Sequence, residues 1–150
     1  MPPRASRLFF QIDSSVAGTV WTAVPWTAGN YSSPGGWSVT AGQLITHAFA
    51  KAANTKTCQV IIEIRASTLT TADANLYINL PPGVVPAYSE VPMPFAYWCT
   101  GLPAGQGAAI GVAYATYNVN YIRLNRDVFS TSWPAGGQIY ISFNAGFPYL

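Results

Sequence analysis

Apolar and polar residues alternate over short stretches along most of the chain, the period of a half-buried β-strand. Cys58, Val60, Ile62 and Ile64 alternate with Gln59, Ile61, Glu63 and Arg65, which predicts a strand with one dry face and one mostly polar face. Leu76, Ile78 and Leu80 repeat the pattern against Asn75, Tyr77 and Asn79 until Pro81, Pro82 and Gly83 stop it. Ile110, Val112, Tyr114 and Thr116 form another such run, as do Ile139, Ile141, Phe143 and Ala145. Shorter runs at Arg7–Ile12, Thr19–Val24, Trp37–Thr40, Phe95–Cys99 and Tyr121–Asn125 bring the total to about nine short strands.

Thirteen Gly and twelve Pro punctuate these runs at close intervals, the rhythm of an all-β domain. The expected fold is a single antiparallel all-β domain, and sandwich and barrel both stay open at this point. Gly101, Gly105, Gly107 and Gly111 read as hairpin glycines, lacking the Lys and the strand-to-helix setting of a phosphate loop. One segment resists assignment: over residues 41–56, Leu44, Ile45, Ala48, Phe49 and Ala52 recur at three- and four-residue spacing, and helix and strand both remain open. Residues 81–94 hold five prolines and read as an ordered loop of extended backbone.

Composition narrows the function. The 150 residues fit one domain, and 5 Trp, 9 Tyr and 7 Phe supply burial that a disordered chain lacks. Only 8% of residues are charged, against about 25% in ordinary soluble domains, while 50% are hydrophobic. No stretch of about 20 apolar residues offers a membrane-spanning helix. The surplus apolar surface therefore points to a protein interface. A net charge of +2 without a basic run excludes the footprint of a nucleic-acid binder. Leu8, Phe9 and Phe10 are too few for the apolar region of a signal peptide. Cys58 and Cys99 lack metal-ligand spacing and read as reduced and buried.

Catalytic chemistry finds little to work with. His47 is the one histidine, and its Ala- and Phe-containing surroundings favour a structural imidazole. Asp13, Glu63, Asp73, Glu90 and Asp127 offer few carboxylate pairs for glycoside hydrolysis, and Glu63 with Arg65 reads as an ion pair on one strand face. Asp73-Ala74-Asn75 reads as a turn rather than a calcium site. The expectation is a protein that is not an enzyme, with no cofactor and no metal. Tyr114, Tyr117 and Tyr121 crowd around Asn118 and Asn120, residue types that suit adaptable recognition and sugar stacking, and form the candidate receptor surface. Phe95, Tyr97 and Trp98 make a second group. The competing reading treats Trp21, Trp37, Trp98 and Trp133 as core or subunit-interface anchors.

From Trp21 onward the order of features resembles a β-sandwich domain of bacteriophage virion proteins, found at tail-fibre tips and in small tail or head appendages. The features are Trp21, Pro25 or Pro34, the Gly29-Asn30 turn, the strand pair from Cys58 to Gly83, the glycine-led strand Ile110-Gly111-Val112-Ala113-Tyr114, and Trp133-Pro134-Ala135-Gly136-Gly137 before Ile139–Phe143. The chain departs from the pattern at Gly137, Gln138 and Asn144, where such domains commonly carry an acid, and fits loosely at His47-Ala48-Phe49-Ala50-Lys51. The resemblance implies a single-domain antiparallel β-sandwich, jelly-roll-like, and a non-enzymatic virion component that packs as a homotrimer, assembled in the host cytoplasm with other tail or capsid proteins. A chain starting at Met1 then reads as a complete small protein. On that reading residues 21–150 are the sandwich and 1–20 an arm, in which Arg4, Arg7, Leu8, Phe9 and Phe10 dock onto the particle or a neighbouring subunit. Three functions stay open: a tail or fibre module that contacts the host envelope, a capsid decoration protein, and a glycan-binding module, since the fold alone does not choose among them.

Overall fold

Nearly every alternating run becomes a strand. The computed structural model describes residues 20–102 and 107–150. In chain order the strands are β1 (Trp21–Ala23), β2 (Tyr31–Ser32), β3 (Trp37–Ser38), β4 (Leu44–Ala52), β5 (Thr57–Leu69), β6 (Leu76–Asn79), β7 (Val91–Cys99), β8 (Ala108–Ala115), β9 (Tyr121–Asn125) and β10 (Gln138–Pro148). The one helical element among the described residues is a single 3-10 turn, Ala28–Asn30. The expected strand at 7–12 and the expected arm over residues 1–20 lie outside the described residues, apart from Val20.

All pairings are antiparallel and join the strands into one sheet, ordered β1-β4-β5-β10-β7-β8-β9-β6-β2, with β3 also on β5. The all-β expectation holds, with ten strands in place of about nine, but the architecture is a strongly curled half-barrel and not a clear sandwich. Curling has a local cause in β5. Register shifts fall between Leu44 and Thr46 on one side of it and between Ile139 and Ile141 on the other, and Ala66 takes a left-handed φ of 54°. Bulges of this kind bend a strand and sharpen its twist. Gln43 seals the irregularity, its carbonyl accepting from the Arg65 N–H at 2.8 Å and its side chain donating to the Ala66 carbonyl at 2.7 Å. Beyond the bend β5 pairs with β3, whereas β2 pairs with β6 at the far end of the sheet. Residues 31–38 thus tie the two regions together across the curl.

The concave side is dry. Cys58, Val60, Ile62 and Ile64 face Phe147, Phe143 and Ile141 from β10, and each is at most 2% exposed. Trp133, fully buried, lies 4.9 Å from the Tyr97 ring and 6.3 Å from that of Phe95, while Phe95 meets Phe143 edge-on at 6.5 Å. Burying each such side chain contributes about 1.5–3 kcal/mol.

One open assignment is settled and two local expectations change. Residues 44–52 are a strand, because the edge of β5 offers a ladder, continuous from Thr46 to Ala52, that outweighs a weak helical spacing. The proline-rich loop ends at Ser89–Glu90, and Pro92 and Pro94 lie inside β7. They are tolerated because β10 pairs with β7 only over Ala96–Cys99, so at the prolines β7 is bonded on its β8 side alone. Gly111 is not a hairpin glycine: it sits mid-strand in β8, where a Cβ would collide with the Phe95 ring and the Asn125 carbonyl. Gly101, at φ 84°, and Gly107 do flank the β7–β8 connection, and Gly105 lies outside the described residues.

Candidate functional site

Strand parity sends a second set of side chains to the convex face. On β7, Met93, Phe95, Tyr97 and Cys99 point inward, leaving Pro92, Pro94, Ala96 and Trp98 outward. On β8 the outward set is Ala108, Ile110, Val112 and Tyr114, and the register sets these directly opposite: Pro92 with Tyr114, Pro94 with Val112, Ala96 with Ile110, Trp98 with Ala108. No charge interrupts this apolar band. Its flanks carry two ion pairs, Glu63–Arg65 from β5 at 2.7 Å and Glu90–Arg123 at 3.4 Å.

The β10–β7 register then places Tyr140 beside Trp98, with ring centroids 4.8 Å apart and planes at 63°. Trp98 is 43% exposed, so it belongs to the surface and not to the core. Between these rings and the Glu63–Arg65 pair runs a groove of about 260 Å³, with Ala96 and Ser142 along it. Both guanidinium bonds, from Nε at 3.0 Å and Nη2 at 2.7 Å, fall on one carboxylate oxygen, Oε1. Two rings set edge to face beside a carboxylate and a guanidinium present an apolar surface together with acceptors and donors. That combination suits a ring with one hydrophobic face and a hydroxylated rim.

The residues expected to form a receptor surface come only partly together. Tyr114 and Tyr121 both point outward, but each is engaged by a neighbour. The Arg123 guanidinium lies over the Tyr114 ring at 4.7 Å, and Tyr121 meets Tyr77 edge-on at 4.9 Å. Tyr117 and Asn118 occupy the β8–β9 turn, where Asn118 adopts a φ of 60°, and Tyr117 is exposed. Asn120 is held through its backbone, its carbonyl accepting from the Leu80 N–H at 2.6 Å. The docking residues Arg4, Arg7, Leu8, Phe9 and Phe10 lie outside the described residues. Sequence reasoning left out Tyr140, Glu63 and Arg65 as site residues and set Trp98 among anchors. All four stand out of phase with the buried residues of their strands, which was the available signal.

The remaining reactive groups are occupied. His47 is buried, its Nδ1 is hydrogen-bonded to the Tyr31 hydroxyl at 2.9 Å, and burial lowers its pKa to about 4. Burial likewise raises Tyr31 to about 12. Asp73 Oδ1 accepts from the Asn75 N–H at 2.8 Å, the turn geometry expected of it. Among the described residues no group of three or more His, Cys, Asp or Glu could hold a metal ion, and no helix is long and apolar enough to cross a membrane. No family model matches the chain, and no curated protein or solved structure matches it either.

Proposed function

We propose that this chain is a non-enzymatic structural protein of a bacteriophage particle, a surface-exposed tail- or fibre-associated module. In that reading it assembles as a homotrimer and contacts host-envelope glycan through the Trp98–Tyr140 groove. Support for the phage assignment comes from the order of Trp, Pro, Gly-Asn and strand features along the chain and from a composition poor in charge. The observation that carries the host contact is the groove itself, where the exposed Trp98 ring and the half-buried Tyr140 ring lie beside the Glu63–Arg65 pair. A pyranose stacks its C–H face on such rings and offers its hydroxyls to the charged pair.

The test is saturable binding of labelled protein to intact cells of candidate bacterial hosts, with free sugars as competitors. Trp98→Ala is expected to weaken binding by at least about tenfold, the scale of losing one anchor worth about 1.4 kcal/mol. Tyr117→Ala is expected to leave it unchanged, and the reverse result would return the site to the β8–β9 turn. A second reading, a decoration protein on the assembled capsid, is favoured by the uncharged band on β7 and β8, because an exposed apolar patch of this kind commonly marks a protein contact. Absence of cell binding with retained binding to assembled shells would select it.

A further inference from the structure

Register fixes the layout of the groove. Glu63 stands opposite Ser142, and Ser142 opposite Ala96. The next outward positions on the same three strands are Arg65, Tyr140 and Trp98. Ser142 and Ala96 are small and exposed, so they make a low floor flanked by the charged pair on β5 and the indole on β7. The Tyr140 hydroxyl is committed elsewhere, donating to Gln138 Oε1 at 3.2 Å, which leaves its ring as the part that borders the floor.

The charged pair uses only half of its own hydrogen-bonding capacity. Arg65 places Nε and Nη2 on the single oxygen Oε1 of Glu63. Among the described residues nothing donates to Glu63 Oε2, and nothing accepts from Arg65 Nη1. Both side chains are open to solvent, Glu63 by 38% and Arg65 by 60%. The pair therefore presents one free acceptor and one free donor, held side by side by their mutual bonds. A hydroxyl group both donates and accepts, so two neighbouring hydroxyls match this arrangement, one giving its proton to Oε2 and the other receiving an N–H from Nη1.

Charge argues against an anionic ligand. Among the described residues, Glu63 and Arg65 are the only charged side chains lining the groove, and they cancel. A carboxylate or phosphate would have to displace Oε1 from the guanidinium and would then lie against the released Glu63 carboxylate, which repels it.

We propose that the groove takes a neutral pyranose, read through two adjacent hydroxyl groups by Glu63 Oε2 and Arg65 Nη1 while a C–H face of the ring lies on Trp98. This rests on the glycan-binding reading above and adds the chemical class of the sugar.

The test is a titration of the full chain with methyl glycosides of glucose, mannose, galactose and rhamnose, and with glucuronic and galacturonic acids. It is followed through the indole N–H signals in NMR spectra, with the Trp98 signal identified by its absence in Trp98→Phe. At least one neutral glycoside is expected to shift that signal, and its uronic acid to bind no more tightly. In the monodeoxy series of that sugar, loss of either of two adjacent hydroxyls is expected to weaken binding by about tenfold, with little effect at the other positions. Glu63→Gln, checked for folding by thermal melting, leaves the guanidinium uncompensated and is expected to turn the preference toward the uronic acid. A wild type that favours the uronic acid overturns this inference while the glycan reading stands. So does a monodeoxy series with no sensitive adjacent pair, or a Glu63→Gln protein with the wild-type preference. Failure of every sugar to shift the Trp98 signal overturns both.

Discussion

The Trp37 indole N–H donates to the Ser67 hydroxyl at 3.0 Å, across 30 residues of sequence. Ser67 in turn donates to the Ile139 carbonyl at 2.9 Å, so one fully buried hydroxyl links β3, β5 and β10 at the bend of β5. Ser67→Ala leaves the indole N–H without a partner in the core and is expected to cost about 1–3 kcal/mol in chemical denaturation. Adding Trp37→Phe removes the orphaned donor, so the double variant should lose less than the sum of the two single losses.

Ile141 lies between Ile64 and Tyr97 on the concave side and is 2% exposed. Ile141→Asp buries an unpaired carboxylate, which costs several kcal/mol, and no cooperative thermal transition is expected from it. Tyr117→Ala, on an exposed turn, should change stability by no more than about 0.5 kcal/mol. A soluble, cooperatively melting Ile141→Asp protein would invalidate the assignment of the inward face.

His47 makes stability depend on pH with a definite sign. Its folded pKa, near 4, lies below the usual 6.5 because burial disfavours the imidazolium. Between those values the unfolded chain binds a proton that the folded chain refuses. The contribution is therefore complete above pH 6.5, declines as pH falls toward 4 and is flat below, at about 1.4 kcal/mol per pKa unit of displacement. His47→Gln should flatten this part of the profile, measured as denaturation midpoints from pH 7 to 4.

Cys58 and Cys99 are both buried and free. Burial raises the Cys58 thiol to about 11 and raises Cys99 as well. They flank β10 opposite Phe147 and Ile139, eight residues apart, roughly 25 Å at the rise of a strand. No disulfide can span that distance. A maleimide should label neither thiol in the native protein and both in denaturant. Labelling of a native thiol would mean that the strand carrying it opens.

Alternation made much of the fold legible. A period of two assigns each residue of a strand to one of two faces, so the inward positions of β5 and β10 could be read without knowing any neighbour, whereas in β8 the more apolar set, Ile110, Val112 and Tyr114, faces outward and the small Gly111, Ala113 and Ala115 face in. The same parity marked Glu63, Arg65, Trp98 and Tyr140 as outward. It could not make them a site, because they come from three strands spread over 78 residues and meet only through the β5–β10–β7 registers.

Strand over helix at residues 44–52 was likewise beyond local reading, since what decided it was the free edge of β5, a partner no spacing within the segment encodes. Prolines 92 and 94 read as loop for a related reason: whether a missing N–H matters depends on which side of the strand is paired, and β10 is absent from that side. What the sequence by itself determined was the strand class, the two faces of each strand and the shortage of charge, all consequences of local stereochemistry and solvation. The curl of the sheet and the meeting of Trp98 with Tyr140 were decided only by tertiary structure, because both depend on register and bulges, which come from pairing residues far apart in the chain.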